Sequence, residues 1–141
     1  MPERRVPPEG RLLAVDWGSK HIGLAVTDPT RTIAQPLATL TRRAGRRFPM
    51  RQLRRWLDEY TPTGIIVGLP LTPEGAEGAA AQAARAAAEL IAAKTGLPVL
   101  LVDERMTTAL AARADGVGGR VDRDQRAAAV LLQAYLERER S

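Results

Sequence analysis

The sequence contains no cysteine, which removes a disulfide framework and any zinc-thiolate site from consideration. It has one histidine, His21, and only two lysines, Lys20 and Lys94, among its 21 basic residues. No apolar run approaches the ~20 residues that a membrane-spanning helix needs, and the arginine-containing N-terminus leads into no apolar signal segment. The expectation is a soluble, cytoplasmic protein that does not engage a membrane. Internal repeats and linkers are absent, so 141 residues read as one domain with a single core over residues 11–141. Residues 1–10, rich in proline and charge, read as a mobile tail. A formal net charge of +5 and a pI near 10.6 favour a polyanionic partner. Charge of this kind gives affinity for phosphate backbones without specifying a sequence.

What the chain does contain is a carboxylate where an apolar strand ends. Asp16 closes Leu12-Leu13-Ala14-Val15 and precedes Trp17-Gly18. Burial beside aliphatic residues is costly for a carboxylate unless it is hydrogen-bonded, neutralised or bound to a cation. A second acidic pair, Asp103-Glu104, closes the apolar run Val99-Leu100-Leu101-Val102, and Asp124 opens the last helix on its inward face. Three carboxylates without a thiol favour a hard, oxygen-liganded divalent ion such as Mg²⁺ or Mn²⁺. Gly18, and Gly23 on the next strand, allow close approach of backbone and phosphate. This hairpin serves metal-dependent nucleases and also kinase-like or actin-like ATPases, and a plain turn aspartate would look the same.

The hydropathy pattern predicts strands at Leu12–Asp16, Ile22–Thr27 and Thr32–Leu40, separated by turns short enough to force antiparallel pairing. Met50, Leu53, Trp56, Leu57 and Tyr60 fall at helical spacing within Pro49–Tyr60. A strand at Ile65–Val67, a helix over Glu77–Lys94 stopped by Gly96, and a strand at Val99–Val102 follow. Helices at Thr107–Ala114 and Asp124–Arg138 complete the chain. Hairpins first and helical crossovers later imply an α/β domain: a mixed five-stranded sheet of three antiparallel, hairpin-linked strands and two parallel strands, flanked by helices.

Taken in order, Leu13-Ala14-Val15-Asp16-Trp17-Gly18, Ile22-Gly23-Leu24-Ala25-Val26-Thr27-Asp28-Pro29, Ile65-Ile66-Val67-Gly68-Leu69-Pro70 with Gly75, and Asp103-Glu104-Arg105-Met106-Thr107-Thr108 make a specific pattern. It closes with Asp124, Ala127-Ala128, Leu131-Leu132 and Tyr135-Leu136. With these residues the chain resembles the YqgF or RuvX family, a branch of the RNase H-like, RuvC-like nucleases. The resemblance covers nearly everything after the tail. It implies an RNase H-like fold and a metal-dependent phosphodiesterase using Asp16, Glu104 and Asp124 both as catalytic residues and as ligands for two Mg²⁺ or Mn²⁺ ions, leaving a 5′ phosphate. Members of that family are assigned to maturation of the 5′ end of 16S ribosomal RNA and are also described as Holliday-junction resolvases. Symmetric junction cleavage would call for a homodimer, because it needs two active sites. A nucleic-acid-binding module without catalysis is the third reading, disfavoured because all three acids are present.

Two registers compete for the third acid. Asp122 follows Val121 as an acid often does before the final helix of this family, whereas Asp124 shares one helical face with Ala127, Ala128, Leu131 and Tyr135. Asp124 is the choice, and Asp122 becomes a loop or capping residue. Strand alternation sends Asp103 and Glu104 to opposite sides. Lys20, Arg42, Arg43, Arg46, Arg47, Arg105, Arg120 and Arg123 are the candidate phosphate contacts, with a solvated loop as the alternative for the arginine cluster and an ion pair as the alternative for Arg105. Trp17 and Trp56 are candidates to stack on bases, although Trp56 lies on an apolar helix face and reads as core. His21 reads as a solvent-facing turn residue. Thr72 stands where relatives often carry asparagine, the Ala76 to Lys94 helix is richer in alanine than usual, and the glycine-rich stretch before Asp124 carries arginines in place of lysines. Substrate preference is therefore the least transferable property.

Overall fold

The computed structural model describes residues 6–18, 21–42, 48–107 and 123–140. Five strands, β1 (Leu12–Asp16), β2 (His21–Thr27), β3 (Ala34–Thr41), β4 (Gly64–Leu69) and β5 (Val99–Asp103), form one sheet in the order β3-β2-β1-β4-β5. β2 runs antiparallel to β1 and to β3, while β4 and β5 run parallel to β1 and to each other. This is the mixed sheet the sequence predicts. The parallel strands bring Asp16 and Asp103 to the same edge of the sheet.

Helix α1 (Met50–Tyr60) leads into β4 and α2 (Ala79–Thr95) joins β4 to β5. Leu53 and Leu57, one turn apart, are the buried residues of α1. α2 ends where predicted, at Gly96 with φ 73°, whose N–H bonds back to Ala92 O at 2.9 Å. Its start is later than predicted. Leu71 and Glu77 form an isolated antiparallel bridge, which holds Glu77 extended and delays the helix to Ala79. The start of β3 also shifts, from Thr32 to Ala34. The Asp28 carboxylate accepts from the backbone N–H of Thr30, Thr32 and Ile33 at 3.1, 2.8 and 2.8 Å, so residues 28–33 are held as a turn.

Alternation along the strands builds two cores, one on each face. Leu13, Val15, Ile22, Leu24, Ile65 and Val67 point to the face covered by α1 and α2. Leu12, Ala14, Ala25 and Ile66 point to the other, against Ala128, Leu131, Leu132, Tyr135 and Leu136 of α3 (Arg123–Arg140). Each fully buried leucine contributes about 1.5–3 kcal/mol relative to exposure. Period two in β1 therefore places Asp16 on the α3 face, with Leu12 and Ala14.

Within the segment expected to be a mobile tail, residues 6–10 make tertiary contacts. Arg31 Nε donates to Gly10 O at 2.7 Å, Thr63 Oγ1 donates to Glu9 O at 2.7 Å, and Val6 packs against the α3-side core. A short 3₁₀ turn, Glu104–Thr107, follows β5 directly. The helix predicted at Thr107–Ala114 lies, beyond Thr107, outside the described residues. Among the described residues no helix is long and apolar enough to cross a membrane.

Candidate active site

Two features of the backbone assemble the acids. Gly23 pairs with Asp16 across the β1–β2 hairpin, and a Cβ at Gly23 would overlap the backbone carbonyl of Asp124. The bare glycine thus lets the first turn of α3 seat directly on the sheet beside Asp16. Gly68 does the same for the second acid, since a Cβ there would lie 2.5 Å from Glu104 Oε1 and 2.9 Å from Leu131 Cδ2. Glu104 fills the space left by Gly68 at the edge of the sheet. In the sequence Gly68 stands out only as the small residue of the Ile65–Pro70 motif.

Asp16 and Glu104 share a side-chain hydrogen bond, and Asp124 stands close enough for its charge to act on Asp16. Burial raises the pKa of Asp16 and the Asp124 charge adds to it, while the bond from Glu104 partly offsets both. Glu104 is pushed up to about 9, first by burial, then by the hydrogen bond and charge of Asp16 and by the charge of Asp103. Both carboxyls are thus held above their usual range, and the pair keeps a proton that isolated carboxylates would release. Two carboxylates forced to share a proton form a site that a cation would stabilise.

Asp103, as alternation predicts, faces away from this pair. It accepts from Arg105 Nη2 at 2.7 Å and from the Arg105 backbone N–H at 2.8 Å. Arg105 Nη1 also reaches Pro73 O at 3.5 Å, tying the end of β5 to the turn around Gly75, which has φ 86°. The ion pair is half exposed, and a pair of that kind contributes little to stability.

A family model described as RuvX, Holliday junction resolvase, matches residues 10–138. The chain belongs to the RuvX family. A relative from Streptomyces coelicolor named "Putative pre-16S rRNA nuclease" is 45% identical over 140 residues, covering 93% of this chain and 82% of its own. A relative of the same name from Dictyoglomus thermophilum is 39% identical, covering 90% and 95%. Among solved structures, RuvC of T. thermophilus in complex with a Holliday junction substrate superimposes with a TM-score of 0.63 at 18% identity, covering 93% of this chain and 95% of that one. The fowlpox virus Holliday junction resolvase gives 0.54 at 14% identity, covering 92% and 99%. At such identities the likeness is one of fold.

Of the residues expected to meet phosphate in this RuvX chain, Arg42 follows β3 with its guanidinium 4.7 Å from the centre of the Trp17 ring. Arg123 opens α3 and is exposed, and Arg105 is engaged with Asp103. Lys20, Arg43, Arg46, Arg47 and Arg120 lie outside the described residues, as does Asp122. His21 begins β2 and is exposed. Trp56 packs partly buried against the core on the α1 side and stacks with Tyr60 at 6.4 Å, in keeping with its core reading.

In the donor set, hard carboxylate oxygens are brought together at a cost in like charge, and this chemistry fits Mg²⁺ or Mn²⁺. Among the described residues, however, no group of three Asp, Glu, His or Cys side chains stands close enough to enclose an ion. Asp16 and Glu104 touch, whereas Asp124 is coupled to Asp16 through its charge.

A pH dependence follows from the shared proton. The Glu104 pKa is raised from 4.5 to about 9, so between those values the folded chain holds a proton that the unfolded chain releases. Stability should therefore fall as pH rises through this window. Denaturant titrations across it in the presence of chelator should show a decline that is flattened in Glu104→Gln. Divalent-ion affinity should move the other way, tightening by up to about tenfold per pH unit below about 9, because binding must displace that proton. Calorimetric titration with Mn²⁺ at several pH values measures it.

Proposed function

We propose that this protein is a divalent-metal-dependent nuclease that hydrolyses phosphodiester bonds during 5′-end maturation of precursor 16S ribosomal RNA in the cytoplasm. The observation that carries the reading is the contact between Asp16 and Glu104 at one edge of the sheet, with Asp124 held within electrostatic reach. The names of relatives that match this chain along most of its length support the ribosomal RNA substrate, and the net positive charge supports a nucleic-acid partner.

In this reading Asp16 and Glu104 would be the direct oxygen donors to one or two Mg²⁺ or Mn²⁺ ions, and Asp124 would complete the set once a bound ion draws the three acids together. The chemistry supplied by a bound ion is acidification of a water and neutralisation of charge on the phosphate and on the leaving 3′ oxygen, so that the product keeps a 5′ phosphate. Asp16 and Glu104 would serve as ligands in their deprotonated form, their shared proton passing to solvent. Asp124, in the first turn of α3, is held in place by the packing of Leu131 and Leu132 beneath the same helix. Arg42 and Arg123 flank the edge and orient the strand through its phosphates, with the arginines outside the described residues extending that track.

A second reading, cleavage of branched DNA, is favoured by the description of the family model and by a fold neighbour solved with a Holliday junction. It requires a homodimer, because both strands must be cut. The two separate in a side-by-side assay on a 5′-extended 16S RNA fragment and a four-way DNA junction. Trimming of the RNA supports the maturation nuclease; paired symmetric nicks in the junction by a dimeric species would replace it with the resolvase. Binding of both without cleavage of either would leave a nucleic-acid-binding module.

A further inference from the structure

We infer that a second site on this chain, a pocket behind the acids, receives one unpaired nucleobase of the bound strand. The inference rests on the nucleic-acid reading above and adds to it a subsite and a strand preference.

The pocket has a volume of about 280 Å³ and is lined by Trp17, Arg42, Phe48, Ala83, Ala86, Ala87 and Leu90. Trp17 follows Asp16 directly, so their Cα atoms are ~3.8 Å apart. The chain turns the two side chains to opposite sides of the sheet edge. Asp16 belongs to the α3 face, while Trp17 packs with the core beneath α1 and α2. The acids and the pocket thus occupy two sides of one edge, a residue apart along the chain.

Its chemistry selects the occupant. The rings of Trp17 and Phe48 lie 6.0 Å apart and 21° from parallel, an aromatic pair in the pocket wall of which Phe48 is the buried member. Facing material comes from α2, where alanines at positions 83, 86 and 87 leave open space that larger side chains would fill. The size is near the lower bound of ~300–1,000 Å³ for small-molecule sites, enough for a single planar ring system. Among the described residues no acid lines it, and Arg42 supplies a cation at the Trp17 ring. A planar aromatic ring, stacked through its faces and tethered to an anion, matches a nucleotide. Among the described lining residues, side-chain hydrogen-bonding capacity is confined to Arg42 and the indole N–H, which favours recognition by stacking over readout of the base edge.

A base inside a continuous duplex cannot enter such a pocket without leaving its stack. The strand that crosses this edge must therefore be single-stranded, or flipped, at the nucleotide beside the phosphate held at the acids. An unpaired 5′ extension meets that requirement at no cost, whereas a fully paired arm does not.

The test is an abasic scan. Short single-stranded oligonucleotides, each lacking one base at a successive position, are bound to the full chain in chelator, so that binding is read apart from cleavage. The wild type should lose about tenfold in affinity at one position beside the cleaved bond and little elsewhere. Ala86→Phe fills the pocket from an exposed helix position, so that folding, checked by thermal melting, is retained. This variant should bind the intact oligonucleotide about tenfold more weakly and show a flat scan. In a Trp56→Phe background Trp17 is the sole tryptophan, and its fluorescence should be quenched by the intact strand but not by the strand lacking the critical base. A flat scan in the wild type, with metal-dependent cleavage intact, overturns the pocket and leaves the nuclease standing. Absence of both binding and cleavage overturns both.

Discussion

Replacing Asp16 with asparagine should lower the cleavage rate by about a thousandfold or more while leaving oligonucleotide affinity within a few-fold of wild type. The substitution keeps the size of the side chain and removes the charge that any divalent ion at this edge would use. Ion-assisted stabilisation of the transition state amounts to several kcal/mol, and each 1.36 kcal/mol is a factor of ten in rate. Binding should survive because the arginines proposed to meet phosphate are untouched. Stability should not fall either, since burial and the Asp124 charge both raise the Asp16 pKa, and relieving that strain is neutral or favourable to folding. Single-turnover cleavage with equilibrium binding on the same substrate measures both quantities. A variant that cleaves normally would remove Asp16 from the chemistry.

The second large effect is expected at a residue with no side chain. Gly23→Ala should cost about 1–3 kcal/mol of stability and lower cleavage by about a hundredfold. The added methyl overlaps the Asp124 carbonyl, which is backbone within the first turn of α3 and has no rotamer to adopt. The helix must lift from β2. Lifting draws the Asp124 carboxylate away from Asp16 and loosens Ala128 and Leu131 from the sheet. Gly68→Ala makes an instructive contrast, because its methyl meets the Glu104 carboxylate and a Leu131 methyl, both ends of side chains. It should disturb cleavage more than stability. Urea denaturation and cleavage rates for the two variants separate these effects, and a Gly23→Ala protein with wild-type stability would contradict the seating of α3 described above.

The sheet was legible because its strands bury their alternate residues on both faces and their turns are short: Leu12 to Asp16 and Ile22 to Thr27 are bounded by glycine and proline signals that act locally. Where a boundary moved, the reason was an interaction between residues several positions apart. The Asp28 carboxylate holds the turn before β3, and the Leu71 to Glu77 bridge delays α2. Asp16 could be singled out because a carboxylate ending an apolar strand is unusual; alternation set Asp103 and Glu104 on opposite sides, and the family resemblance pointed to Glu104. The hydrogen bond between Asp16 and Glu104 was not legible, since it depends on the space at Gly68 and on a 3₁₀ turn that bends the chain after β5. Arg105 illustrates the limit from the other side. Its charge admitted phosphate contact or an ion pair, and only the fold shows it engaged with Asp103 and reaching Pro73. The pocket beside Trp17 could not be read in advance, because Phe48 and the α2 alanines reach it from distant parts of the chain.

Divalent ions at the three acids are the centre of the proposed chemistry. Its most direct test is cleavage of an end-labelled, 5′-extended 16S RNA fragment by the purified protein, first in excess chelator and then after addition of Mg²⁺ or Mn²⁺. The account predicts no product in chelator, full recovery with either ion, and no recovery in Glu104→Gln. Cleavage that persists in chelator, or that Glu104→Gln performs at the wild-type rate, would contradict it.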